Sequence, residues 1–268
     1  MNKGKSQSLP DYKKPPVIEV VCGISFETIE KFRGPHLGLF WQKVRNKFPL
    51  CEHAQRLELP PPEFDLKNYL PRTWFINEDK NMLIQLQNNK FFFNWRRIQQ
   101  EEAYPRYKTI IIAFKTNLGI FNKFLEEENL GSVNPIKCEL TYINHIPKGE
   151  GWDSLGDISG VFRDLAWSSS ERFLNPPIGF GGQVLFALPD DNGRLNVTLQ
   201  HGERNIDKHP MLILQITATG LGADKSNDAL WKWFEIAHEW IVRGFADLTG
   251  ATIQENIWER MDIKSVKE

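Results

Sequence analysis

The densest grouping of chemically capable side chains is Trp95, Arg96, Arg97, Tyr104, Arg106, Tyr107 and Lys108. Guanidinium groups hold phosphates at two points while rings stack on bases. The cluster falls between the end of an expected hairpin and the start of an expected helix, whose N-terminus favours anions. The same residue types also dominate protein interfaces, and Glu101 and Glu102 dilute the positive charge. Protein contact therefore ranks ahead of nucleic acid or a nucleotide as the occupant of this patch. Trp231 and Trp240 fall off the apolar stripe of the last expected helix. An exposed ring on a helix side points to a partner or to cover from the C-terminal tail.

Signals for catalysis are weaker. Glu139 is a carboxyl inside an expected strand with apolar neighbours, where burial would raise its pKa; with Asn144 and His145 it marks a candidate pocket between two halves of the chain. The plainer reading pairs Glu139 with a Lys or Arg of an adjacent strand. Ser168–Ser170 lacks the glycine-flanked elbow that exposes a nucleophilic serine. The run Pro177-Ile178-Gly179-Phe180-Gly181-Gly182 has neither the spacing nor the strand-before, helix-after setting of a phosphate loop. Cys51 and His53 form a close pair with no second pair at zinc-site spacing, and His201 and His209 bracket a hairpin end without an obvious third ligand. The expectation is no metal and no cofactor.

Composition sets the wider bounds. The chain has 268 residues, 41% of them hydrophobic and 25% charged, enough for one large domain or two small ones. A net charge of -1 argues against a protein that coats nucleic acid over its whole surface. Residues 1–130 carry 20 Lys and Arg against 15 Asp and Glu, whereas residues 131–268 carry 13 against 19. Opposite-sign halves could meet each other, a second copy, or different partners. No apolar run approaches the roughly 20 residues of a membrane span, and the first sixteen residues hold no apolar core for a secretion signal. The expected location is cytoplasmic. Cys22, Cys51 and Cys138 are odd in number and widely spaced, which fits reduced thiols.

The elements that must position these residues follow from periodicity. Residues 1–14 read as a flexible, lysine-bearing tail. Val17 to Phe26 reads as a central strand, Leu37 to Phe48 as a short helix, and Pro49 to Pro71 as an irregular connection. Strands are expected at TWFIN, MLIQLQ and FFFNW, the last two joined by an Asn88-Asn89 turn. A long helix from Pro105 buries Ile111, Phe114, Leu118, Phe121 and Leu125 and ends before Gly131. The second half opens with a strand from Ile136 to Asn144 and a short helix around Ile158 to Trp167. Strands at QVLFAL, RLNVTLQ and MLILQITATG follow, then a long helix capped by Ser226-Asn-Asp228. The expectation is an α+β fold of two pseudo-repeated antiparallel-sheet-plus-helix halves. Residues 15–131 and 132–268 would each run strand, helix, three strands, long helix.

Several pieces together resemble a sporadically distributed family of uncharacterised prokaryotic proteins of similar length. They are Pro15-Pro16-Val17 with Glu19 and Phe26, the YPRY at Tyr104, and Cys138-Glu-Leu-Thr-Tyr142-Ile-Asn144. Phe245-Ala-Asp-Leu-Thr249 ahead of Trp258 belongs with them. The resemblance covers most of the chain and implies no established activity and no catalytic residue. The patchy occurrence resembles that of accessory proteins in mobile defence or toxin-type gene clusters. The leading expectation is a non-enzymatic binding or regulatory subunit acting through protein contacts, itself included. The alternatives are nucleic-acid or nucleotide binding through the basic–aromatic patch, and an enzyme with a pocket between the halves.

Overall fold

The computed structural model describes residues 8–55, 70–167, 171–175 and 177–262. The chain begins with strand β1 (Val17–Phe26), helix α1 (Gly34–Val44) and strands β2 (Leu50–Ala54), β3 (Arg72–Ile76), β4 (Met82–Gln87) and β5 (Lys90–Arg96). Helix α2 (Tyr107–Glu127), strand β6 (Pro135–Pro147) and the single-turn helix α3 (Ile158–Val161) follow. Strands β7 (Gly181–Ala187), β8 (Arg194–Glu203) and β9 (Pro210–Gly220) lead to helices α4 (Asn227–Leu248) and α5 (Ala251–Asn256). The fold is α+β. Its sheet has the order β2-β3-β4-β5-β1-β6-β9-β8-β7, with antiparallel pairing in β1–β5, β2–β3, β3–β4, β4–β5 and β7–β8. No described helix is long and apolar enough to cross a membrane.

Two compact units emerge, and neither follows a boundary at residue 131. One, here the N-terminal unit, comprises Glu19–Thr141 and Thr219–Phe234; the other comprises Met1–Ile18, Tyr142–Ala218 and Glu235–Glu268. Counted outward from its middle, the sheet reads β1, β5, β4, β3 in one direction and β6, β9, β8, β7 in the other. That order does not establish an internally repeated chain: among the described residues, β2 has no counterpart beyond β7.

Where the elements differ from expectation, local chemistry explains the shift. Helix α1 starts three residues early because Pro35 is tolerated in a first turn and His36 Nδ1 accepts the Arg33 N–H at 2.8 Å. Helix α2 starts at Tyr107, so Pro105 lies ahead of it; Arg106, with φ 72°, breaks the chain direction at that point. The buried stripe consequently begins with Tyr107 and Ile110, and Ile111 is only half-buried. Helix α3 stops at Val161 because Phe162 turns extended and bridges Thr249. The connection from Pro49 contains strand β2, held by β3; its Pro60-Pro61-Pro62 and the Ser168–Ser170 run lie outside the described residues.

The core of the N-terminal unit is a cluster of phenylalanines. Helix α1 buries Leu37, Phe40 and Val44, and α2 buries Phe114, Leu118, Phe121 and Phe124. Rings from both helices meet the sheet: Phe40 lies 5.6 Å from Phe75, and Phe121 lies 5.3 Å from Phe91. The first turns of α4 join through Phe234, 5.3 Å from Phe114. On the other side of the sheet the Phe92 ring lies across Gly23, its cross-strand partner. A Cβ added at Gly23 would sit 1.9 Å from Phe92 Cδ1. Gly23→Ala is therefore expected to lower stability by about 1–3 kcal/mol, as overpacking does, read as a fall in the urea midpoint.

The other unit ties its chain ends together. Tyr12 pairs with Arg260 as an isolated antiparallel bridge, and its ring packs edge-on to Phe245 and Trp258. Its hydroxyl donates to Gln254 Oε1 at 2.9 Å, and Arg260 Nη1 donates to the same oxygen at 2.8 Å. Arg260 and Asp262 form a two-point ion pair. Helix α4 starts as expected, with Ser226 Oγ accepting the Ala229 N–H.

Candidate functional site

Alternation along β3, β4, β5 and β1 sends side chains to two different environments. Cross-strand partners Phe75, Ile84, Phe93 and Cys22 face the helices. Residues of the other parity build a polar face on the N-terminal unit. Arg72 Nη1 and Trp74 Nε1 both donate to Gln85 Oε1 at 3.2 Å. Gln85 Nε2 donates to Asn94 Oδ1 at 2.7 Å, and Asn94 Nδ2 donates to Glu19 Oε1 at 2.6 Å. The donors thus run in one sense across four strands, from a guanidinium to a carboxylate.

Trp74 stands between two cations. The guanidinium carbons of Arg72 and Arg96 lie 5.3 Å and 6.0 Å from its ring centroid, within cation–π range. Arg96 is fixed by donating from Nε to Lys80 O at 2.7 Å. Burial pushes the Glu19 carboxyl pKa up, opposed by the Asn94 hydrogen bond and by Arg96. Burial also lowers the Arg72 pKa. Arg72 Nε is buried and has no hydrogen-bond partner among the described residues.

The same face continues toward the β4–β5 turn. Lys90 is the cross-strand partner of both Ser25 and Gln87. Gln87 is 1% exposed, and neither its amide oxygen nor its nitrogen finds a partner among the described residues. Glu139 on β6 belongs here: burial raises its pKa, opposed by Lys137, Lys90 and a Thr141 hydrogen bond.

Asn144 and His145 are placed separately. As neighbours on a strand they point to opposite faces. Asn144 is buried and donates from Nδ2 to Leu214 O at 3.1 Å, a structural bond within the sheet. His145 is half-buried, and burial with Arg204 lowers its pKa.

The basic–aromatic cluster is divided by the same alternation. Trp95 is 1% exposed and faces inward, 5.4 Å from the Tyr104 ring. Tyr107, the first residue of α2, is buried as well. Their faces are committed to packing and offer no stacking platform for bases. Arg96 is engaged on the polar face, Arg97 is half-buried, and exposed Arg106 lies over Tyr104 at 5.9 Å. Trp231 is half-buried rather than projecting: it packs on Phe114 and Phe234 beneath Lys115, with Nε1 donating to Asn227 Oδ1. Trp240 is likewise half-buried on α4.

Among the described residues, no three His, Cys, Asp or Glu groups are grouped so as to hold a metal ion. His53 Nδ1 lies 3.3 Å from Thr73 Oγ1, and His209 Nε2 lies 3.0 Å from Lys148 O. Sequence reasoning passed over Arg72, Trp74, Gln85 and Asn94, although polar residues recurring at one parity of apolar strands were the available signal. Comparison with protein-family models and with curated proteins gives no match for this chain.

Proposed function

We propose that the chain is a non-enzymatic binding subunit whose protein partner docks on the polar face of the N-terminal unit. The observation that carries this reading is Trp74 held between Arg72 and Arg96 on a chain of side-chain hydrogen bonds. Trp and Arg are the residues most enriched at energetic centres of interfaces, and here both are fixed before any partner arrives, which reduces the ordering cost of association. The inward-facing Trp95 and Tyr107 weigh against a nucleic-acid reading.

Trp74→Ala and Arg72→Ala are the tests, with the tagged chain used to recover partners from its own source. Loss of an interface centre costs about 2 kcal/mol or more, so recovery at limiting bait should fall about tenfold or further. The circular dichroism melt should stay close to wild type for Trp74→Ala. Equal recovery of the same partner by wild type and both variants would remove this face from the reading.

A further inference from the structure

We infer that strand β7 pairs with β7 of a second copy of this chain, antiparallel and centred on Val184, giving a two-fold dimer. The inference uses a surface of the other unit and does not depend on the polar face.

Strand β7 ends the sheet: β8 hydrogen-bonds to one side, and its other edge has no strand among the described residues. Every residue from Gly181 to Ala187 is exposed. Val184 is 53% exposed, Leu185 57% and Phe186 39%. Their partners on β8 are Val197 for Val184 and Leu195 for Phe186, both buried. The apolar row of the core therefore continues onto β7 past its own cover. Edge strands of monomers are usually blunted by charge, proline or a bulge. GGQVLFA has no charge and no proline, and its register with β8 runs unbroken through seven pairs. The opposite edge strand, β2, is shorter and carries Glu52 and His53.

The choice of a second copy rests on self-complementarity. Antiparallel pairing about Val184 sets Val184 against Val184, Gln183 against Leu185, Gly182 against Phe186, and Gly181 against Ala187. The bulkiest side chain of the strand meets a glycine with open space where its Cβ would be, an aromatic-over-glycine match that stabilises strand pairs. A neutral strand pairs with itself without like-charge cost. The same geometry brings the acidic Asp190–Asp191 turn, beyond one end of β7, toward the other copy's Gly181 end, where Gln200 precedes His201. Such a contact closes on itself, whereas β7 on β2 would propagate as an open chain.

Sedimentation equilibrium of the full chain tests this, with circular dichroism melts as a folding control. Wild type should be a dimer, and Val184→Lys, which sets two lysines face to face, a monomer with a retained melt. Leu185→Glu should also dissociate the dimer, and adding Gln183→Lys should restore it, since those positions meet across the axis. A merely unfolding substitution would show no such rescue. A wild-type monomer, a dimer indifferent to Val184→Lys and Leu185→Glu, or failure of the rescue in a folded double variant would each overturn the inference. Trp74→Ala should dimerise as wild type does, so loss of partner recovery and loss of dimer report on different faces.

Discussion

Phe121→Ala is expected to destabilise the chain by about 3–5 kcal/mol, the range for a buried aromatic cut back to a methyl group. Phe121 is fully buried in the middle of α2. Its ring meets Phe26, Phe32, Phe40 and Phe91 at centroid distances of 6.1, 6.0, 5.4 and 5.3 Å. Those four rings come from β1, the connection after it, α1 and β5. One truncation therefore loosens both helices from the sheet together. The surrounding rings are large and mutually wedged, so the void cannot close by small adjustments. A typical domain has about 5–15 kcal/mol in all, so the loss would be a large part of it. The measurement is the urea-unfolding midpoint of the variant. A change below about 1 kcal/mol would mean that the cluster rearranges around the gap. By contrast, Ile112→Ala on the exposed side of the same helix should move the midpoint little.

Phe121 was legible because helix periodicity is a local property. Phe114, Leu118, Phe121 and Leu125 repeat at three and four residues, and all four are buried. Strands β1 and β4 could be bounded the same way, since VIEVVCGISF and MLIQLQ are apolar runs flanked by breakers. Strand β2 was not legible. Leu50–Ala54 is almost wholly exposed, carries no apolar alternation, and is a strand because β3 supplies its hydrogen bonds. The start of α2 depended on the backbone at Arg106, whose positive φ is rare for a side-chain-bearing residue. No residue pattern announces it.

The candidate face was hidden for a different reason. Glu19 and Asn94 are 75 residues apart, and Arg72 and Gln85 are 13 apart. Each alone reads as a polar residue on the wet side of a strand. Only the registers Glu19 with Arg96, Leu83 with Asn94 and Trp74 with Gln85 turn them into one hydrogen-bonded chain. The clustering of Trp95, Arg96, Arg97, Tyr104, Arg106 and Tyr107 was conspicuous along the chain, yet strand alternation and the helix start send its members in different directions. Closeness in sequence is a poor guide to closeness in space wherever the intervening backbone is extended.

Acid should destabilise the fold through His238, and His238→Phe should remove most of that loss. The imidazole lies on α4 beside Tyr142, with ring centroids 6.2 Å apart, and burial lowers its pKa from 6.5 to about 4. Between those two values the unfolded chain binds a proton that the folded chain excludes, so stability falls as pH falls. Above the unfolded value both forms are neutral and the group has no effect; below the folded value both are protonated and the loss levels off. From about pH 7 to about pH 4.5 the full shift corresponds to roughly 2 kcal/mol, and less is expected because part of His238 meets solvent. His145, lowered by burial and by Arg204, adds in the same sense. Glu19 and Glu139 act oppositely: their raised folded pKa values let the native state hold protons that the unfolded chain has released, so they stabilise as pH falls through their window. The part that belongs to His238 is therefore read as the difference between wild type and a variant that changes this residue alone. Urea midpoints for wild type and His238→Phe from about pH 7 down to about pH 5.5 isolate it. Parallel losses in the two proteins would show that the imidazole is not excluded from protonation in the folded state, while a variant that loses clearly less than wild type follows from the packing of His238 against Tyr142.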